Sequence, residues 1–174
     1  MTGVQTCALP IYMPSFDITN KIDFQLLDNS LNVARKEIQS RFDFRGSKSE
    51  IDFNKKDKLI HILTEDDMRM KSIIDVIRMR MAKQNLNPKI LDEGKEIYAS
   101  SNMVKKDIKI KEGIDGEAAR KILKDIKESR IKVTAQKMDD IIRVQSKKID
   151  DLQNIIAICR KKDYEIPIQF LNFR

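Results

Sequence analysis

Seven basic side chains fall where they could hold phosphate. Lys105, Lys109 and Lys111 take alternate positions of one run, Lys132 and Arg143 do the same in two later runs, and Arg41 and Arg45 precede Gly46. Successive side chains of a strand point to opposite faces. If Ile108, Ile110, Ile131, Val133, Ala135, Ile142 and Val144 face a core, the five strand cations share the other surface. Such a surface could bind a nucleotide or RNA through phosphate; the alternative is a solvated Lys-rich face. Sheet-based RNA recognition also stacks bases on aromatic side chains, and Lys, Thr, Gln and Arg stand at those positions here. The Arg41 and Arg45 guanidiniums can fork onto phosphate or stack on a base, or pair with Asp43.

Other chemistries find less support. The five glycines form no phosphate-cradling motif. The single His61, without a cysteine cluster, makes no metal site, and no cofactor is expected. The Asp pairs at 66–67, 139–140 and 150–151 fall at a helix start, a turn and a helix start, where structural Asp residues belong. With no converging set of acid, base and nucleophile, the chain reads as a non-enzyme.

The elements that must position these residues follow from periodicity. Ser15–Thr19 alternates as a strand; Asp23 caps a helix whose apolar stripe is Phe24, Leu27, Leu31, Ala34, Ile38 and Phe42. A hairpin is expected from 49–54 and 58–64. Thr64 and Asp67 suggest a capping box opening the next helix, with Met70, Ile73, Ile74, Ile77 and Met81 inward. Residues 89–102 are weakly patterned and read as a connector and hinge with one short strand at 96–100. Beyond it the spacing predicts a strand at 105–111, a helix capped by Asp115, strands at 131–136 and 141–146, a helix at 150–161 and a last strand at 166–173.

The chain also matches itself at a shift of 82: Ile60 falls on Ile142, Ile62 on Val144, Met70 on Leu152 and Ile73 on Ile155. A duplicated β-α-β-β-α-β unit accounts for this. The fold class expected is α+β, two ferredoxin-like units, each an antiparallel sheet with two helices on one face. The first would span 13–88 plus 165–174 and the second 89–164. The last strands would be exchanged, so that 166–173 returns to pair with 15–19.

Residues 2–11 read as a translated sequencing adapter, so that 1–12 is a non-native extension, Met13 the start and Cys7 no part of the protein. Cys159 then remains alone on an apolar helix face, which suits a reducing compartment. No apolar run is long enough for a membrane span, and a soluble, cytoplasmic protein without membrane partners is expected. Residues 13–88 carry 14 basic against 12 acidic side chains and 89–164 carry 19 against 14, which makes the second half the basic one.

Several segments are distinctive together: PSFDIT at 14–19, RFDFRGS at 41–47, EDD at 65–67, EGI at 112–114, SRIKV at 129–133, KKIDDLQ at 147–153 and IQFLNFR at 168–174. Their order resembles the bacterial YajQ family of nucleotide-binding proteins. That resemblance implies paired ferredoxin-like units with exchanged strands and a nucleotide ligand, which is cyclic di-GMP, GTP or ATP. Some members act as cyclic di-GMP effectors through a transcription factor, and others bind tRNA. The chain departs from the family pattern at Ser146 and at Ser101 and Asn102, where glycine is usual. An acylphosphatase-type enzyme of this fold would need a phosphate loop after the first strand, and none is present.

Overall fold

The computed structural model describes residues 12–174; the adapter-like segment and Cys7 lie outside them. Eight strands and four helices follow one another as β1 (Ser15–Thr19), α1 (Phe24–Ser40), β2 (Glu50–Asn54), β3 (Leu59–Thr64), α2 (Asp67–Lys83), β4 (Leu91–Ala99), β5 (Met103–Ile110), α3 (Gly116–Glu128), β6 (Thr134–Met138), β7 (Ile141–Gln145), α4 (Ile149–Lys161) and β8 (Gln169–Leu171). Asp23 caps α1 by accepting from the Gln25 and Leu26 amides, and Asp115 caps α3 through the Ala118 amide. At α2 the cap is Asp66, which accepts from the Arg69 amide, in place of the expected Thr64. Thr64 is instead the buried last residue of β3. Phe42 leaves the α1 stripe, since the helix stops at Ser40 and a short 3-10 turn exposes its ring to 81%.

The strands form two four-stranded antiparallel sheets, ordered β6-β7-β1-β8 and β2-β3-β5-β4. The chain divides accordingly into unit 1 (residues up to Asn20 and Gly113–Arg174) and unit 2 (Lys21–Glu112). This corrects the expected partition. Unit 1 is a complete β-α-β-β-α-β arrangement, β1-α3-β6-β7-α4-β8, with unit 2 inserted after its first strand. The last strand pairs with β1 as expected, Ile18 opposite Phe170. It does so within the sheet of β6 and β7, so the expected exchange of last strands between the units is not found.

The reason lies in the segment expected to be a hinge. Residues 91–99 are a full strand, and a turn at 100–102 returns the chain into β5, so β4 and β5 are hairpin partners by local connection. The short link from α2 keeps β4 beside β3's unit. Wherever β4 goes β5 follows, and β5 then fills the seat next to β3, Leu59 opposite Lys109 through Thr64 opposite Val104. That seat would otherwise belong to β1.

Each unit has its own core. In unit 2, Leu27, Leu31, Ile60, Ile62, Met70, Ile73, Ile77 and Ile108 are fully buried between sheet and helices. In unit 1, Phe16, Ile18, Ile122, Ile142, Val144 and Ile155 do the same, and Cys159 is buried in the same cluster. The Phe16 ring meets Phe170 edge-on at 5.8 Å and Phe173 stacked at 5.9 Å. Redrawn on these boundaries the charge asymmetry of the two halves disappears: unit 1 holds 14 basic against 11 acidic side chains and unit 2 holds 20 against 16.

Candidate functional site

The five cations expected on one sheet face are divided between the two units. Lys105 and Lys109 project from β5 on the outer face of the unit 2 sheet, as alternation requires, and Lys111 lies just past the strand end, 4.0 Å from Asp92. Lys132 and Arg143 belong to unit 1. The face around Lys105 and Lys109 is mixed in charge. His61 stands between Asp52 and Asp107 in the strand register, and its Nδ1 lies 2.6 Å from an Asp107 carboxylate oxygen. A shallow depression of about 360 Å³ beside them is lined by Glu50, Asp52, His61, Leu63 and Lys105.

The arginine candidates are engaged with the protein itself. Arg143 forks onto Asp17 at 2.9 and 3.2 Å, and that carboxylate is nearly fully buried. Arg41 forks onto Asp43 at 3.0 and 2.9 Å, the alternative its neighbourhood in the sequence had offered. Arg45 lies over the Phe42 ring, 5.3 Å from its centroid.

Lys132 alone of the expected set lines a cationic cleft, and the structure adds three more cations to it. This cleft of about 760 Å³ lies in unit 1, between the α3–β6 connection and the junction of β7 with α4. Arg130, Ile131, Lys132 and Val133 form one wall; Gln145, Ser146, Lys147, Lys148 and Asp151 form the other, and Met13 lies at the margin. Arg130 closes α3 in the left-handed region, φ 56°, with its N–H donating to the Lys127 carbonyl at 3.2 Å.

Ser146 ties the two walls together. It is 2% exposed, and its hydroxyl lies 3.2 Å from the Lys132 carbonyl oxygen and 3.3 Å from the Asp151 carboxylate while accepting from the Lys148 N–H at 3.2 Å. Ser146 is therefore a brace of the cleft. Among the described residues Asp151 is the one carboxylate in the lining, and it is held by this brace; Arg130, Lys132, Lys147 and Lys148 are exposed. A concavity of this size suits a small ligand, and four cations around it favour a polyanion. Among the described residues no group of three His, Cys, Asp or Glu side chains is placed to hold a metal ion.

Strand alternation missed Arg130, Lys147 and Lys148 because they stand in connections, where a two-residue period says nothing. The signal present in the sequence was local: Arg130 and Lys132 follow one helix and Lys147 and Lys148 precede another, and the fold brings these two pairs to the two walls of one cleft. No helix among the described residues is long and apolar enough to cross a membrane.

Comparison with known proteins extends over the same chain. A nucleotide-binding protein of Cytophaga hutchinsonii is 56% identical over 162 residues, covering 93% of this chain and 100% of the relative. Nucleotide-binding proteins of Oleidesulfovibrio alaskensis and Trichlorobacter lovleyi are 45% and 46% identical over 162 residues, each covering 93% of this chain and 99% of the relative. The family model described as "Nucleotide-binding protein YajQ-like" matches residues 14–174, and the chain belongs to that family.

Proposed function

We propose that this protein binds a nucleotide without transforming it, and that Arg130, Lys132, Lys147 and Lys148 hold the ligand's phosphates in the unit 1 cleft. The observation that carries this reading is the convergence of two pairs of cations, Arg130 with Lys132 and Lys147 with Lys148, separate in the chain, on one concavity. The family description and the names of the relatives supply the ligand class. A cyclic dinucleotide such as cyclic di-GMP, with two phosphodiesters, suits a site with several cations spread over two walls. In that case the liganded protein signals in the cytosol through a partner such as a transcription factor.

A second reading, RNA binding, draws on Phe42. Its ring is 81% exposed beneath Arg45, and an exposed aromatic with a guanidinium is the kind of platform on which bases stack. Calorimetric titration with cyclic di-GMP, GTP and ATP at two salt concentrations tests the first reading against the second. Saturable binding that falls at least tenfold, about 1.4 kcal/mol, when Lys132, Lys147 and Lys148 are replaced together by Ala supports the nucleotide reading. Unchanged affinity in that variant overturns the cleft as the site. Silence with all three nucleotides, together with steeply salt-dependent RNA binding lost in Phe42→Ala, favours the second.

A further inference from the structure

The corner that forms the cleft occurs in both units, and in unit 2 it already holds an anion. Thr64, buried at the end of β3, is followed by Glu65, whose carboxylate accepts from the Lys48 N–H at 2.6 Å and the Ser47 hydroxyl at 2.7 Å. The Arg69 guanidinium lies 3.4 Å away. In unit 1 the buried Ser146, the residue after β7, stands in the place of Thr64, and the next residue is Lys147.

The strand registers fix this correspondence. Ile62 lies opposite Ile51 in one hairpin as Val144 lies opposite Ala135 in the other, so Lys48 and Lys132 each stand two residues before the edge strand. Both strand-end hydroxyls brace the connection before the edge strand, at neighbouring positions: the Thr64 hydroxyl reaches the Ser49 hydroxyl at 2.8 Å, and the Ser146 hydroxyl reaches the Lys132 carbonyl at 3.2 Å. One corner of the duplicated fold therefore carries its own carboxylate. The other presents a cation at the same position, and three further cations, Arg130, Lys132 and Lys148, line the cleft around it.

Resting on the nucleotide reading above, we infer that each chain has one seat for an external phosphoryl group. It lies in unit 1 over the Lys132 backbone and between the Lys132 and Lys147 side chains, where Glu65 supplies the anion in unit 2. The Glu65 carboxylate closes the unit 2 corner to ligand. A phosphate oxygen would take the place of the carboxylate oxygen, accepting from backbone N–H while the lysines neutralise its charge.

The test is an amide-resolved NMR titration of the full chain with inorganic pyrophosphate and, separately, with GTP, on the unaltered protein and on Lys147→Glu. The expected result is one pyrophosphate per chain, shifts at Lys132 and Lys147 with none at Ser47 or Lys48, and at least tenfold weaker binding of both probes by K147E. The amide spectrum of K147E itself reports whether it remains folded; if it does not, Lys147→Gln carries the same comparison with a smaller loss. Shifts at Lys48 on pyrophosphate addition, or undiminished binding by the folded variant, overturn the seat. If GTP moves the cleft amides while K147E binds it undiminished, the nucleotide reading survives and the seat does not. Pyrophosphate that seats at Lys132 and Lys147 while GTP fails to bind leaves the seat and removes the nucleotide reading. Absence of both probes from the cleft overturns both.

Discussion

Arg143 and Asp17 face each other directly across β7 and β1, and the guanidinium of the first closes as a fork on the carboxylate of the second, at 2.9 and 3.2 Å. Asn172, whose left-handed backbone (φ 55°) turns the chain after β8, donates a third hydrogen bond to the same carboxylate at 2.8 Å. Three segments distant in sequence thus meet on one buried charge. The Arg143 guanidinium holds the Asp17 carboxyl below the usual carboxylate range, against the opposing effect of burial.

Arg143 is therefore expected to contribute to stability rather than to ligand binding. Arg143→Ala leaves Asp17 buried with only Asn172 as side-chain partner and should cost about 3 kcal/mol, because an uncompensated buried charge is the expensive outcome. Arg143→Lys keeps the charge and loses the fork, at roughly 1 kcal/mol. Urea unfolding measures both. Full stability with lost nucleotide affinity in Arg143→Ala would return Arg143 to the list of ligand contacts.

Acid sensitivity should come largely from Glu65. Burial alone would raise its pKa, but the Ser47 hydroxyl and the Lys48 amide stabilise the carboxylate more strongly and lower it from 4.5 to about 2. A depressed carboxylate adds stability that is fully present above its unfolded pKa and is lost as pH falls through the folded one. The window is thus pH 4.5 down to about 2. The loss across it should be on the order of 2 kcal/mol, allowing for the 28% exposure of the side chain. Glu65→Gln should flatten the decline in unfolding free energy between pH 5 and pH 2.5. An unchanged slope would assign the acid sensitivity to other carboxylates.

Two backbone positions should respond in opposite directions. Gly113 lies at φ +77°, where unit 2 rejoins unit 1, and a Cβ there would come within 2.9 Å of the Asp140 side chain. Gly113→Ala should destabilise by about 2 kcal/mol. Ser101 holds a similar conformation, φ 77°, in the β4–β5 turn without being glycine, so Ser101→Gly should gain about 1 kcal/mol. Thermal or urea unfolding gives the sign of each.

Unit 2 should fold alone. Its ends leave and re-enter unit 1 at one point, where the Gly113 N–H donates to the Asn20 carbonyl at 2.8 Å and the Asn20 side chain donates back to Gly113 at 3.3 Å. Among the described residues, its core draws none from outside 21–112. A fragment of residues 21–112 is expected to unfold cooperatively in urea, by circular dichroism. A broad, non-cooperative transition would show that the insertion needs its host.

Much of this protein was legible in the sequence, because its helices and strands are amphipathic and local. Asp23 and Asp115 cap where their spacing predicted, and β1, the apolar stripe of α2 and the duplication stand as read, with the α2 cap moved from Thr64 to Asp66. Periodicity also assigned the side of the sheet on which Lys105 and Lys109 project. Which sheet each strand joins could not be read that way. β1 and β5 carry the same alternation and fit the same seat, and only the β4–β5 hairpin and the reach of its connections give that seat in unit 2 to β5. The candidate site depended on the same step. A two-residue period describes strands, whereas the cleft is built from connections, and Arg130, Lys132, Lys147 and Lys148 become neighbours only once α3, β6, β7 and α4 pack around Phe16 and Ile18 of a strand far away in the chain.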